Sequence, residues 1–172
     1  MSDGELQPLG CALATVSDSR DLTNDKSGDL IAERLGEAGH TLVERRLIAD
    51  ERWQLEAAFQ EWMDDPRVAV IITTGGTGIT GRDVTPEAAD AVYTKAIPGF
   101  GELFRWLSYQ EIGASTIQSR AQAGLAGDTL LFNLPGSSGA CRLALDAILL
   151  PQLDSRTRPC NFADLLPRFG ER

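Results

Sequence analysis

The residue types best suited to chemistry are concentrated in TTGGTGITGRDVTPEA, from Thr73 to Ala88. Gly75, Gly76, Thr77 and Gly78 open it. Glycines lack a Cβ, so their backbone N–H groups can turn toward an anion and approach it closely. The loop matches neither GxxxxGK[ST] nor GxGxxG. By pattern alone, a tight turn and a phosphate cradle are equally supported. Arg82 and Asp83 follow. An arginine beside such a turn can grip a phosphate with two hydrogen bonds. An aspartate there can hold Mg²⁺ on a nucleotide, because magnesium takes oxygen ligands and combines carboxylate with phosphate. The competing reading is that Asp83 and Thr85 cap the next helix and Arg82 is solvated.

Two further loops offer related chemistry. SDSR presents Ser17, Asp18, Ser19 and Arg20, hydroxyls and a cation that suit a phosphate or a polar ring edge. Asp25, Lys26, Ser27 and Gly28, at the next helix start, could extend the same anion site. PGSSGA sets Pro135, Gly136 and Ser137 at another helix start, with capping as the alternative role. Asp50 precedes a further helix, where an aspartate is an ordinary N-cap. No Ser/His/Asp or Cys/His arrangement is defensible. The single His40 reads as a surface or capping residue. Glycine loops, hydroxyls, arginines and carboxylates suit phosphoryl or nucleotidyl transfer, where positioning and charge neutralisation dominate.

These loops need elements to hold them. CALATVS (11–17), TLVERRLI (41–48), VAVII (68–72) and DTLLFNL (128–134) read as strands. VAVII is continuous rather than alternating, which predicts a strand buried on both faces of a parallel sheet. Ile31, Leu35 and Ala38 mark one helix; Leu55, Ala58, Phe59 and Trp62 mark a second. TPEAADAVYTKA (85–96) predicts a third, with Thr85 as N-cap and Pro86 at its first position. GFGELFRWLSYQEIG (99–113) predicts a fourth. Ala140, Leu143, Ala144, Ala147 and Ile148 predict a fifth that Pro151 stops. Strands and helices alternate at βαβ spacing. The expected fold is three-layer α/β, a mostly parallel sheet flanked by helices. Ligands of such sheets sit at the carboxyl ends of the strands. The three loops all leave those ends.

The chain has 172 residues, which argues for a single domain, with residues 1–9 a flexible lead-in and 151–172 a tail without clear period. A formal charge of -9, from 25 acids against 16 bases, argues against nucleic-acid or anionic-membrane partners. The opening MSDGELQPLG does not read as a secretory signal, and no apolar run is long enough to span a bilayer. Cys11, Cys141 and Cys160 fit no zinc spacing and suit reduced thiols, so a cytoplasmic location is expected.

Taken together, TVSDSR, DKSG, TTGGTGITGRDVTPEA, PGFGELFRWLSYQEIG, SRAQAG, FNLPGSSGACR and PQLDSRTRPCN resemble the MoaB/Mog family of molybdenum cofactor biosynthesis. The resemblance spans about Cys11 to Asn161, and the ending PQLDSRTRPCNF is similar to the MoaB branch. It implies the molybdopterin-binding α/β fold. It implies adenylylation of molybdopterin by ATP with Mg²⁺, releasing pyrophosphate, and delivery of the product to a MoeA-type protein that inserts molybdate. It implies a homo-oligomer, either a trimer or a hexamer of two trimers. The family's nucleotide-binding glycines match Gly75, Gly76 and Gly78, and its two important aspartates match Asp83 and Asp50. On that match, Asp83 and Asp50 are the candidate catalytic and Mg²⁺-holding residues. Thr77, Arg82, the loop from Ser17 to Arg20 and the loop from Pro135 to Ser137 are candidate ligand contacts. The alternative is a non-catalytic protein that binds or delivers molybdopterin.

Overall fold

The computed structural model describes residues 4–171. Six strands form one sheet in the order β2-β1-β3-β6-β5-β4. They are β1 (Gly10–Val16), β2 (Thr41–Ile48), β3 (Val70–Thr74), β4 (Lys95–Ala96), β5 (Gln122–Ala126) and β6 (Thr129–Leu134). β2, β1, β3 and β6 pair in parallel, while β5 and β4 are antiparallel. The helices are α1 (Lys26–Glu37), α2 (Arg52–Asp64), α3 (Thr85–Asp90), α4 (Pro98–Ile112), α5 (Ser138–Ala144) and α6 (Leu150–Leu153).

Side chains alternate across the pleat and so build two cores. Cys11, Leu13, Val70, Ile72, Leu130 and Phe132 face α1, α4 and α5. Ala12, Ala14, Ile71 and Leu131 face α2 and α3, where Phe59 and Trp62 fill the space beside small strand residues. β3 is buried along its whole length, as a central parallel strand with helices on both faces must be.

The chain leaves β1 to one side, returns from β2 to the other, and lays down β3 against β1. The loops after β1 and β3 therefore diverge at the carboxyl edge, opening the crevice expected at a topological switch point. The loop after β6 borders the same crevice.

The structure departs from the sequence expectations in several places. β5 was not foreseen: QAGLA is alanine- and glycine-rich and carries little strand propensity. The third helix ends at Asp90 rather than continuing to Ala96, because Thr94 and Ile97 donate their N–H groups to Leu125 and Ala123 of β5. Pro151 does not stop the last helix. A π-helical turn over Leu145–Leu149 precedes it and places the proline in the first turn of α6, where its missing N–H costs nothing. His40 is buried instead of lying at the surface, and its Nδ1 accepts the Leu9 N–H at 3.2 Å. Residues 1–3 of the expected lead-in lie outside the described residues. From Gln7 the segment is tied down, since Gln7 N–H donates to Ser155 Oγ at 3.1 Å. No helix among the described residues is long and apolar enough to cross a membrane.

Candidate active site

The glycine loop begins where β3 ends. Gly75 and Gly76 have φ of +102° and +68°, a left-handed backbone that side chains disfavour. A Cβ on Gly75 would also collide with the Val16 carbonyl, and one on Gly76 with the Thr85 hydroxyl. The loop thus needs glycine for both conformation and space. Gly75 N–H donates to Leu134 O at 3.0 Å, stitching the loop to the end of β6. Thr85 is not an N-cap but the first residue of α3. Its buried hydroxyl donates to Gly75 O at 2.9 Å, and its N–H to Gly76 O at 3.1 Å.

Asp83 closes the loop back onto its start. The Thr80 N–H and hydroxyl both donate to its Oδ2, at 2.9 and 2.7 Å. A Cβ on Gly78 would lie 2.7 Å from that same oxygen, so the carboxylate packs on bare backbone. Burial raises the Asp83 pKa, but the Thr80 donors, the Gly78 N–H and the Arg120 charge outweigh it and hold the carboxyl below its ordinary value.

Asp50 is differently placed. Glu51, not Asp50, is the N-cap of α2, and its side chain makes no capping bond. The Asp50 N–H donates to Asp18 Oδ1 at 3.0 Å, which turns its own carboxylate toward Gly76. Among the described residues no side chain donates to that carboxylate. Burial pushes its pKa up, and the Asp18 and Asp83 charges add to the rise; Arg82 and the Asp18 backbone only partly offset it.

Gly75, Gly76, Thr77, Gly78, Asp83, Pro135 and Gly136 converge on one open cleft of about 380 Å³. Its far wall is Ser115, Gln118 and Ser119, from the 3-10 segment that follows α4. Sequence reasoning missed that wall.

The remaining expected residues surround the cleft rather than line it. Arg82 is tied to the neighbouring loops, with three hydrogen bonds of 2.8–3.0 Å to Asp18 and one of 3.1 Å to Glu51. The loop after β1 folds on itself, because Ser17 Oγ accepts the N–H groups of Ser19 and Arg20. Arg20 reaches across to Ser27 Oγ and Gly136 O, bridging two of the three loops. Ser137 caps α5 by accepting the Ala140 N–H at 3.2 Å.

The anion site imagined at Asp25–Gly28 is already filled by the protein. Asp25 is the buried N-cap of α1, accepting from Gly28 N–H at 3.0 Å, Thr15 Oγ1 at 2.6 Å and Arg45 Nη2 at 2.7 Å. Burial raises its pKa, yet these donors prevail and hold it low.

Arg120 also escaped the sequence reading as a site residue, although it stands in the quoted SRAQAG. Its guanidinium donates to Gly78 O at 2.7 Å, to Asp83 O at 2.9 Å and to the Glu87 carboxylate.

The model of a probable molybdopterin binding domain, MoCF_biosynth, matches residues 12–155. The chain belongs to the MoaB/Mog family. It is 46% identical over 158 residues to molybdenum cofactor biosynthesis protein B of Escherichia coli (strain K12), covering 92% of this chain and 93% of that protein. A crystal structure of a molybdenum cofactor biosynthesis protein B superposes with a TM-score of 0.86 at 40% identity, covering 96% of this chain and 98% of the other. The tungsten cofactor synthesizing protein MoaB from Pyrococcus furiosus matches with a TM-score of 0.73 at 36% identity, covering 83% and 91%. The mixed sheet and its flanking helices are therefore the MoaB/Mog fold, and the cleft lies within the family's matched region.

Proposed function

We propose that this protein adenylylates molybdopterin with Mg-ATP. A phosphate oxygen of molybdopterin attacks the α-phosphorus of ATP. The bond from that phosphorus to the oxygen bridging the α- and β-phosphates breaks, and pyrophosphate leaves with the electron pair. The observation that carries this reading is that Asp50 lies against Gly76 and Asp83 against Gly78 of one left-handed glycine loop at the switch point of a parallel sheet, in a family of molybdenum cofactor biosynthesis. The reaction needs no general base from the protein, because a phosphate is already anionic. It needs an electropositive seat and close positioning.

Mg²⁺ fits this residue set in part. No group of three or more His, Cys, Asp or Glu suited to caging a metal occurs among the described residues. Asp50 lacks a side-chain donor and repels its neighbouring carboxylates, so a divalent cation would relieve it. Asp50 and Asp83 would hold the ion, with phosphate and water completing its oxygen shell. When bound, Mg²⁺ neutralises phosphate charge and makes pyrophosphate a better leaving group. The loop backbone receives the phosphates. Arg82, exposed and held by two carboxylates, can exchange them for a phosphate as the ligand enters. The loops from Ser17 to Arg20 and from Pro135 to Ser137 border the space left for the pterin.

The product would pass to a MoeA-type molybdate-insertion protein in the cytoplasm. The subunits would assemble as a trimer or a hexamer, through an apolar face formed by Trp106, Tyr109 and Ile112 of α4 with Ile117 beyond it. All four are more than half exposed, at 63%, 56%, 55% and 82%. Trp106→Glu should shift the sedimenting species toward the monomer; an unchanged species removes this face from the assembly.

Pyrophosphate release tests the reaction. It should require ATP, Mg²⁺ and molybdopterin together. Tight calorimetric binding of molybdopterin without any release would instead favour the binding-protein reading.

A further inference from the structure

We infer that Arg120 is a positioning residue that sets the polarity of the glycine loop and the placement of Asp83, an inference that rests on the Mg-ATP reading of the cleft. Arg120 holds three carbonyls of one loop. Its backbone N–H donates to Thr77 O at 2.9 Å, its Nε to Gly78 O at 2.7 Å and its Nη2 to Asp83 O at 2.9 Å. Glu87, in the first turn of α3, holds the other edge of the guanidinium and keeps its plane fixed.

The consequence follows from the planar trans peptide, in which C=O and the next N–H point in opposite directions. Drawing the Thr77 and Gly78 carbonyls toward Arg120 turns the N–H groups of Gly78 and Ile79 the other way. The Gly78 N–H indeed faces the Asp83 carboxylate that lines the cleft. Successive N–H groups on one side make an anion-binding concavity, and the anion seated here is the Asp83 carboxylate, which also accepts the Thr80 N–H at 2.9 Å. The same side chain anchors both ends of the segment from Gly78 to Asp83, while the Arg120 backbone N–H holds Thr77 O. A guanidinium suits this task because its donors lie in a rigid fork; a lysine ammonium cannot span both carbonyls in that fixed geometry. Arg120 lies outside the cleft lined by Gly75 to Gly78 and instead lines a neighbouring open cleft of about 420 Å³ with Thr80, Asp83 and Glu87.

The test compares wild type, Arg120→Ala and Arg120→Lys. In ligand-free protein, the amides from Thr77 to Asp83 should exchange with deuterium about tenfold faster in Arg120→Ala, while core amides keep their protection. Turnover should fall about 100-fold in kcat with a smaller change in KM for ATP, the mark of lost positioning. Millimolar methylguanidinium should restore part of the lost kcat, and Arg120→Lys should not match wild type. Wild-type exchange and kcat in Arg120→Ala would overturn the inference. So would a kcat loss that methylguanidinium leaves unchanged while exchange accelerates throughout the chain. Should Arg120→Ala fail to fold, Arg120→Lys decides, and wild-type loop exchange in it would contradict the assignment. If wild type itself shows no turnover, the adenylylation reading fails, and loop exchange together with calorimetric Mg-ATP affinity of the variants still judges Arg120.

Discussion

Asp83 and Asp50 are two carboxylates beside one glycine loop, and the protein treats them in opposite ways. Asp83 is bound into its surroundings: Thr80 donates twice, Gly78 backs it, Arg120 holds its carbonyl, and its acidity is increased. Asp50 is pressed against like charges with no side-chain donor, and its acidity is decreased. One is shaped by the fold, the other is strained by it. Groups that a structure leaves electrostatically uncomfortable are those a ligand can relieve. On the proposed Mg-ATP reading, both carboxylates would hold Mg²⁺, with Asp83 fixing the geometry of the seat and Asp50 supplying charge that the fold leaves unpaired.

The sharpest way to break this comparison is to remove each carboxylate. Asp83→Ala should lower turnover by about 10³-fold, about 4 kcal/mol of transition-state stabilisation. It should also lower ligand-free stability by about 1 kcal/mol, as the Thr80 donors lose their acceptor. Asp50→Ala should lower turnover too, yet leave ligand-free stability unchanged or raised by about 0.5 kcal/mol, because a repelled charge has gone. Steady-state kinetics and urea denaturation read both effects. Equal destabilisation by the two variants would erase the distinction.

Gly75→Ala comes next. Its positive φ and the collision with Val16 O should cost about 3 kcal/mol. A melting temperature lower by about 10 °C is the expected reading, and an unchanged one would mean that the loop can relax.

The third contrast is with Asp25, a carboxylate as fully satisfied as Asp50 is not. Its folded-state pKa lies below the unfolded value, so its contribution is complete above the unfolded pKa of about 3.9. That contribution is lost as pH falls through the folded pKa. Asp25→Asn should cost about 2 kcal/mol at pH 7. The gap from wild type should begin to close only as the pH falls below the unfolded pKa of about 3.9. A gap independent of pH would mean that the carboxylate's charge contributes nothing.

The sequence made the fold legible where one force dominated. VAVII announced a doubly buried parallel strand, and Leu55, Ala58, Phe59 and Trp62 the helix packed on it. It failed where pairing overrode propensity: QAGLA became β5 through its partners, and its neighbour truncated α3. It failed at Pro151 because periodicity carries no sign of a π turn. In the candidate site, the glycines and the Pro135–Gly136 turn stand at strand ends where chemistry pointed, whereas Asp83 and Asp50 came from the family resemblance. Asp25 belongs to the fold, and the local sequence does not show it, since the Thr15 and Arg45 that it binds come from two different strands. Arg120 lies 42 residues from the Gly78 carbonyl it holds, a separation that no local pattern reveals.

The most direct test of the central claim is transfer of label from α-labelled ATP to molybdopterin by the wild-type protein with Mg²⁺. Labelled adenylyl-molybdopterin should form in step with pyrophosphate release, and both should form about 10³-fold more slowly with Asp83→Ala. Folded protein that binds molybdopterin but transfers no label, or an Asp83→Ala variant that transfers it at the wild-type rate, would contradict the account.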